Sequence, residues 1–178
     1  MLITLPIVYL SILALFLLIF SWLISQQLKT IFLLESQFQY FLDKSKNNEL
    51  GIEDSFAFSK VCIAKKLFTR AIIESQLVLQ KNLLLKSPEN AAIIAKLYNM
   101  LGFIYYEADQ KKLAKNFYER ALKLDSNYIV ALNNLAKIYE DTKNFLKAEA
   151  IYNKVLNIDK SNQLANTQKK SIQQIINL

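Results

Sequence analysis

Few residues of this 178-residue chain are of a type and spacing that could do covalent chemistry. Histidine is absent and Cys62 is the single cysteine, so neither an internal disulfide nor a Cys/His metal site can be assembled. Glycine occurs only at Gly51 and Gly102, too far apart for a loop that cradles phosphate. The carboxylates stand beside lysines, as at Glu107, Asp109 and Lys111, which is the pattern of a solvated helix face. The net charge of +7 is spread along the chain rather than gathered. Ile52–Ile94 and Ala95–Tyr128 each hold six Lys/Arg against four Asp/Glu, and Ile129–Leu178 holds seven against four. A reader of nucleic acid would concentrate its cations on one stripe beside aromatics free to stack. These counts point away from an enzyme, a cofactor, a small-molecule substrate and nucleic acid. They leave non-covalent recognition by amide, ammonium and aromatic side chains, which needs a scaffold to line them up.

The scaffold is written as a repeat of 34 residues: Ala95–Tyr128 and Ile129–Asn162 carry matching positions. Tyr98 faces Leu132, Leu101 faces Leu135, Gly102 faces Ala136 and Tyr105 faces Tyr139. Further on, Ala114 faces Ala148, Tyr118 faces Tyr152 and Ala121 faces Val155. Positions 98, 101, 102 and 105 recur as i, i+3, i+4, i+7, one face of an amphipathic helix. A second stripe is expected through Leu113, Ala114, Phe117, Ala121 and Leu124. The polar connector Ala108–Lys111 between them is short enough to force an antiparallel pair. Gly102 and Ala114, like Ala136 and Ala148, are small where the two helices cross.

This pattern resembles the tetratricopeptide repeat, with Tyr98 and Leu132 in place of its tryptophan and Ser126 and Lys160 in place of its final proline. Aligning Ala71 with Ala114 gives a degenerate earlier copy at 52–85, with Phe58, Ser59 and Cys62 inward, Cys62 being read as a small core residue. Nine residues, Lys86–Ile94, interrupt the period. Ser87 and Pro88 within them read as a cap and first-turn proline, so the next helix is expected to start about two turns early. Residues 163–178, with Leu164, Ile172, Ile175 and Ile176, read as a capping helix that covers the open end of the array. The fold class is therefore all-α: about three helix pairs of a tetratricopeptide superhelix plus that cap, preceded by a transmembrane helix.

The transmembrane expectation comes from the first residues. No ionisable side chain other than Tyr9 occurs from Met1 to Leu28. Residues 2–24 would span roughly 34 Å as a helix, against a hydrocarbon core of about 30 Å. No Lys or Arg precedes the apolar core and no A-x-A site follows it, unlike a signal peptide. The segment is apolar all round, unlike the core helix of a soluble domain. All lysines and arginines follow it, beginning with Lys29, Lys44 and Lys46, which places the repeats on the cytoplasmic or stromal side. Residues 25–51 read as a juxtamembrane amphipathic helix and a polar linker from Asp43 to Gly51. The helix either continues the anchor, lies on the membrane surface or packs under the first repeat.

On the tetratricopeptide pattern the concave face is lined by positions 2, 5, 9 and 12 of each first helix. The resemblance assigns it Glu53, Phe56, Lys60 and Ile63, then Lys96, Asn99, Phe103 and Tyr106, then Val130, Asn133, Lys137 and Glu140. Of these, Lys60, Lys96, Asn99, Phe103, Tyr106, Asn133 and Lys137 are the expected peptide-binding residues, with no catalytic or metal-binding residue. Amides would hold a partner's backbone and lysines its carboxylates. The family's carboxylate clamp for chaperone tails needs a fuller set of cations than this. One anchor, an aromatic juxtamembrane stretch, three repeats and an arginine-poor, Lys/Asn/Ile-rich composition are together similar to a small membrane-anchored tetratricopeptide family of cyanobacteria and red-algal plastids. The segment from Ala64 through Leu79 resembles that family's first repeat. This resemblance implies a thylakoid protein with stromal repeats that assists photosystem I assembly or stabilisation through protein partners, possible subunits of that complex included. The alternatives are a bacterial inner-membrane scaffold for envelope assembly or secretion with cytoplasmic repeats, and a tether or regulatory subunit for a membrane enzyme.

Overall fold

The computed structural model describes residues 4–47, 49–85 and 90–176. Among them are eight α-helices and no strand: α1 (Thr4–Lys46), α2 (Ile52–Ala64), α3 (Phe68–Leu85), α4 (Ala91–Glu107), α5 (Lys111–Leu124), α6 (Ile129–Asp141), α7 (Phe145–Ile158) and α8 (Gln163–Ile176). The chain divides into two compact units, Met1–Glu49 and Leu50–Leu178.

The first unit is α1, one uninterrupted helix of 43 residues, which at 1.5 Å per residue is about 65 Å long. Gln26–Leu42 thus prolong the apolar helix, and the first four residues of the expected linker, Asp43–Lys46, belong to it as well. Its polar groups bond along the helix itself. The Thr30 hydroxyl donates to the Gln26 carbonyl at 3.0 Å, and the Gln39 amide donates to the Glu35 carboxylate at 2.9 Å.

The second unit is built of α2–α3, α4–α5 and α6–α7 pairs followed by α8. Each pair turns on one residue in the left-handed region: Lys66 (φ 59°), Asp109 (φ 55°) and Lys143 (φ 58°). All three stand at the fifteenth position of their repeats, so the backbone itself marks 52–85 as a true copy. The same two hydrogen bonds close each turn. Lys66 N–H reaches Ile63 O and Leu67 N–H reaches Cys62 O, both at 2.8 Å, and Asp109/Gln110 and Lys143/Asn144 repeat the arrangement at 2.8–2.9 Å. This is the αL helix end that satisfies the last carbonyls. The missing proline between repeats has a substitute too. The carboxylates of Asp125 and Asp159 each accept the backbone N–H two residues on, at 3.0 Å, an Asx turn. The described part of α4 opens at Ala91, a turn before Ala95; Ser87 and Pro88 lie outside the described residues.

Packing explains the repeat pattern and corrects part of it. Tyr118 and Tyr152 are about 1% exposed, the largest fully buried side chains of their pairs. A Cβ on Gly102 would stand 2.5 Å from Tyr118 Cε1 and 2.6 Å from its Cδ1, so the glycine makes room for that ring. The buried line of α5 is Ala114, Tyr118 and Ala121. Leu113 and Leu124, expected in the stripe, are exposed, because one residue along a helix is a rotation of roughly 100°. Phe117 is half-buried and stacks on Tyr105, with ring centroids 5.2 Å apart.

In the first pair Ser75 replaces the tyrosine and Ser59 the glycine, and their hydroxyls are hydrogen-bonded at 3.2 Å. Glu74, at the position of Phe117, is 3% exposed and ion-paired with Arg70 at 2.8 Å. Two aromatic contacts have become a buried polar set, which is why this copy is the faint one. Phe58, Ser59 and Cys62 are fully buried, as expected. At the other end, Asn162 caps α8 by accepting the Ala165 N–H at 3.0 Å. Ala165 and Ile172 carry the cap, joining Leu132, Ala136, Ala148, Tyr152 and Val155 in one core. Leu164, Ile175 and Ile176, expected to pack, are exposed. Leu164 is turned about 100° from Ala165, and Ile176 lies beside Phe145 and Leu146 at the α6–α7 turn.

Candidate functional site

The first helices of the three pairs, α2, α4 and α6, together line a groove of about 410 Å³. Its walls are Lys60, Ile63 and Ala64 from α2, Asn99, Met100 and Phe103 from α4, and Val130 and Asn134 from α6. Five of these eight residues, Lys60, Ile63, Asn99, Phe103 and Val130, were expected on the concave face. Ala64, Met100 and Asn134 were missed because they follow, by one residue, positions 12 and 5 of the pattern. The groove runs diagonally across the helices, so it takes later positions from α2 and earlier ones from α6. Glu53, Phe56 and Lys96 do not line it. Lys60 lies over the Phe56 ring, 5.8 Å from its centroid, and Lys96 is exposed one turn before Met100.

Asn99 is 7% exposed, and its Oδ1 accepts a hydrogen bond from Asn134 Nδ2 at 2.9 Å. This amide pair ties α4 to α6 at the floor of the groove. Asn133 stands outside the groove, and its Oδ1 is buried without a hydrogen-bond partner among the described residues. Of the two amides expected to hold a partner's backbone, Asn99 lines the groove, bonded to Asn134, and Asn133 does not line it.

One turn beyond Phe103 and Asn134, a polar cluster locks the same two helices together. The Tyr106 hydroxyl donates to Asp141 Oδ2 at 2.7 Å. Lys137 Nζ is 3.2 Å from both Glu140 and Asp141, so it is held by two carboxylates of its own helix. Burial works to raise the Asp141 carboxyl, but the Tyr106 hydroxyl and Lys137 outweigh it and hold it below its ordinary range. Burial and the Asp141 contact push the Tyr106 phenol up. By formal charge the cluster sets one cation, Lys137, against two carboxylates, Glu140 and Asp141.

Replacing Tyr106 with phenylalanine removes a charge-assisted hydrogen bond in a partly buried place and should destabilise the repeats by about 1–1.5 kcal/mol. Because the Asp141 pKa is lowered by folding, this contribution is complete above the ordinary carboxylate value and is lost as pH falls through the lower folded value. Urea unfolding of both proteins should show a constant gap at neutral pH that closes in acid below about pH 3.8. A gap independent of pH would contradict the assignment.

No group of three or more His, Cys, Asp or Glu side chains fit to hold a metal occurs among the described residues. Burial, aided by Glu74, pushes the Cys62 thiol up to about 11, so it stays protonated and unreactive at neutral pH.

The helix pairs, their common turn and the groove across their first helices define a tetratricopeptide scaffold for protein–protein interaction. The tetratricopeptide repeat family profile matches residues 94–161. Two solved structures share the fold. The first tetratricopeptide domain of Spaghetti (RPAP3), bound to the Hsp90 peptide SRMEEVD, superposes with a TM-score of 0.61 over 71% of this chain and 94% of that one, at 14% identity. MamA superposes with a TM-score of 0.64 over 79% of this chain and 77% of that one, at 20% identity. The chain belongs to the ycf37 family: it is 86% identical to the ycf37 protein of Porphyra purpurea over 97% of its own length and 99% of that protein. It is 58% identical to the ycf37 protein of Pyropia yezoensis over the full length of both.

Proposed function

We propose that this chain is a membrane-anchored scaffold of the plastid thylakoid that holds stroma-facing segments of photosystem I subunits while that complex is assembled or stabilised. The observation that carries the reading is the end-to-end identity with ycf37 proteins of red algae, since it extends through the apolar N-terminal segment as well as the repeats. Three further features support it. Val8–Lys46 is long and apolar enough to cross a bilayer, with a mean hydropathy of 2.4 in its most apolar window. The first lysines, Lys29, Lys44 and Lys46, come after the uncharged stretch that ends at Leu28, which favours repeats on the stromal side. The groove presents apolar surface between two polar ends, the anatomy of a peptide site rather than of a reaction centre.

The test is a Met100→Ala, Phe103→Ala variant expressed in place of the native chain in its plastid. Both side chains line the groove, and apolar anchors of this kind carry most of the energy of such interfaces, so partner affinity should fall by roughly tenfold or more. Photosystem I accumulation should drop while photosystem II is unchanged. Photosystem I at wild-type level, with the variant present in normal amount, would remove the assembly role.

A further inference from the structure

We infer that the groove selects an apolar segment flanked by one carboxylate, bound so that the carboxylate meets α2 and the uncharged or basic flank lies toward α6. This rests on the reading of the groove as the partner site and adds the chemistry of the guest. The centre of the groove is Ile63, Ala64, Met100, Phe103 and Val130, with a volume of about 410 Å³. That is in the range of pockets that enclose several side-chain-sized groups. Its one cation is Lys60, on the α2 wall, which is exposed and has no carboxylate partner among the described residues.

The opposite side has the opposite sign. Tyr106, Lys137, Glu140 and Asp141 lie one turn further along α4 and α6, and their charges leave one anion in excess. Lys137, the cation that a symmetrical grip on acidic groups would need, is already bound by Glu140 and Asp141 at 3.2 Å each. A second carboxylate on the guest would therefore meet a net negative surface, and an acidic tail is disfavoured. Lys60 gives the guest a start, the apolar centre a register and the acid cluster a direction.

The experiment uses the full chain in nanodiscs and three fluorescein-labelled, end-blocked peptides. They share a Leu-Phe centre within a Gly/Ser frame and carry glutamate, glutamine or lysine on one flank. Fluorescence anisotropy at low salt should rank them glutamate, glutamine, lysine, with roughly threefold steps, the size of an exposed ion pair. The steps should shrink as salt is raised. Lys60→Glu should reverse the order, and Phe103→Ala should weaken all three by about tenfold. The same ranking in Lys60→Glu, equal affinities in the wild type, or binding untouched by Phe103→Ala would each overturn the inference, as would no binding of any peptide. Photosystem I levels do not enter this measurement, so its failure leaves the assembly role standing, and the failure of that role leaves this result standing.

Discussion

Exchanging Gly102 for leucine should lower the melting temperature of the repeat unit by about 10 °C, a loss on the order of 3 kcal/mol. The reason is local. The Tyr118 ring lies against the Gly102 Cα, 2.5–2.6 Å from where a Cβ would be, and it is about 1% exposed, so it has nowhere to retreat. A leucine forces α4 away from α5 or drives the ring off its rotamer. Alanine at the same position should cost less than a third as much. Ala136 holds the equivalent place opposite Tyr152, both buried, and losing a helical glycine returns about 1 kcal/mol of backbone entropy. Lys112→Leu, on the exposed side of α5, should change stability by no more than about 0.5 kcal/mol. Adding Tyr118→Ala to Gly102→Leu should restore part of the loss, because one space is then shared by one side chain instead of two. Thermal denaturation of the full chain, followed by circular dichroism, measures all four variants. Equal melting temperatures for Gly102→Leu and Lys112→Leu would contradict the way α4 and α5 are packed here.

That same contact shows how much of the fold was legible in the residues. The 34-residue period, the small residues at 102, 114, 136 and 148 and the antiparallel pairing all follow from spacing, because a helix pair has to bring one stripe of each helix together. Which leucines belong to a stripe does not follow so simply. Leu113 and Leu124 have the right character but the wrong angle, and the buried ridge passes through Tyr118, which matches Tyr152 across the repeats but was not counted in the stripe. The α8 cap shows the same effect, with Ala165 inside and Leu164 outside. Large apolar residues attract the eye, whereas close helix packing is decided by the small ones.

The groove was legible only to within one helical step. Position rules place residues on a flat array, whereas the groove crosses the helices diagonally and takes in residues one step after the expected ones. Asn134 therefore enters the groove and Asn133 does not line it. Lys137 was readable as a cation, but its capture by Glu140 and Asp141 depends on rotamers, not on spacing alone. The left-handed turns at Lys66 and Lys143 carried no residue signal, and only Asp109, within the expected connector, is of a type that readily adopts that region. Their equivalence emerges from the backbone.

The anchor prediction has an all-or-none readout. In α1, the apolar stretch from Val8 to Ile24 is exposed along its whole length, and none of its most apolar window is buried within the structure. Left in water, that surface would cost about 25 cal/mol for each Å², so the helix has to be covered by lipid or by another protein. These two covers respond differently to washing. An integral helix stays with the membrane in high salt and at alkaline pH, while a helix held by protein contacts is released. The full chain should remain in the pellet under both conditions. Leu13→Lys together with Phe16→Lys places two ammonium groups near the centre of the span, at about 2.5–3.5 kcal/mol each on insertion scales. That sum of about 5–7 kcal/mol cancels most of what the remaining apolar residues contribute at about 0.3–0.6 kcal/mol each, and a large share of this variant should move to the soluble fraction with its repeats still folded. Leu146→Lys, an exposed change on α7, adds one charge outside the span and should stay in the pellet. Release of the unaltered chain by either wash would exclude the spanning helix. Retention of the double-lysine variant to the same extent as the unaltered chain would count against it as well, because a bilayer discriminates against those charges and a protein surface need not.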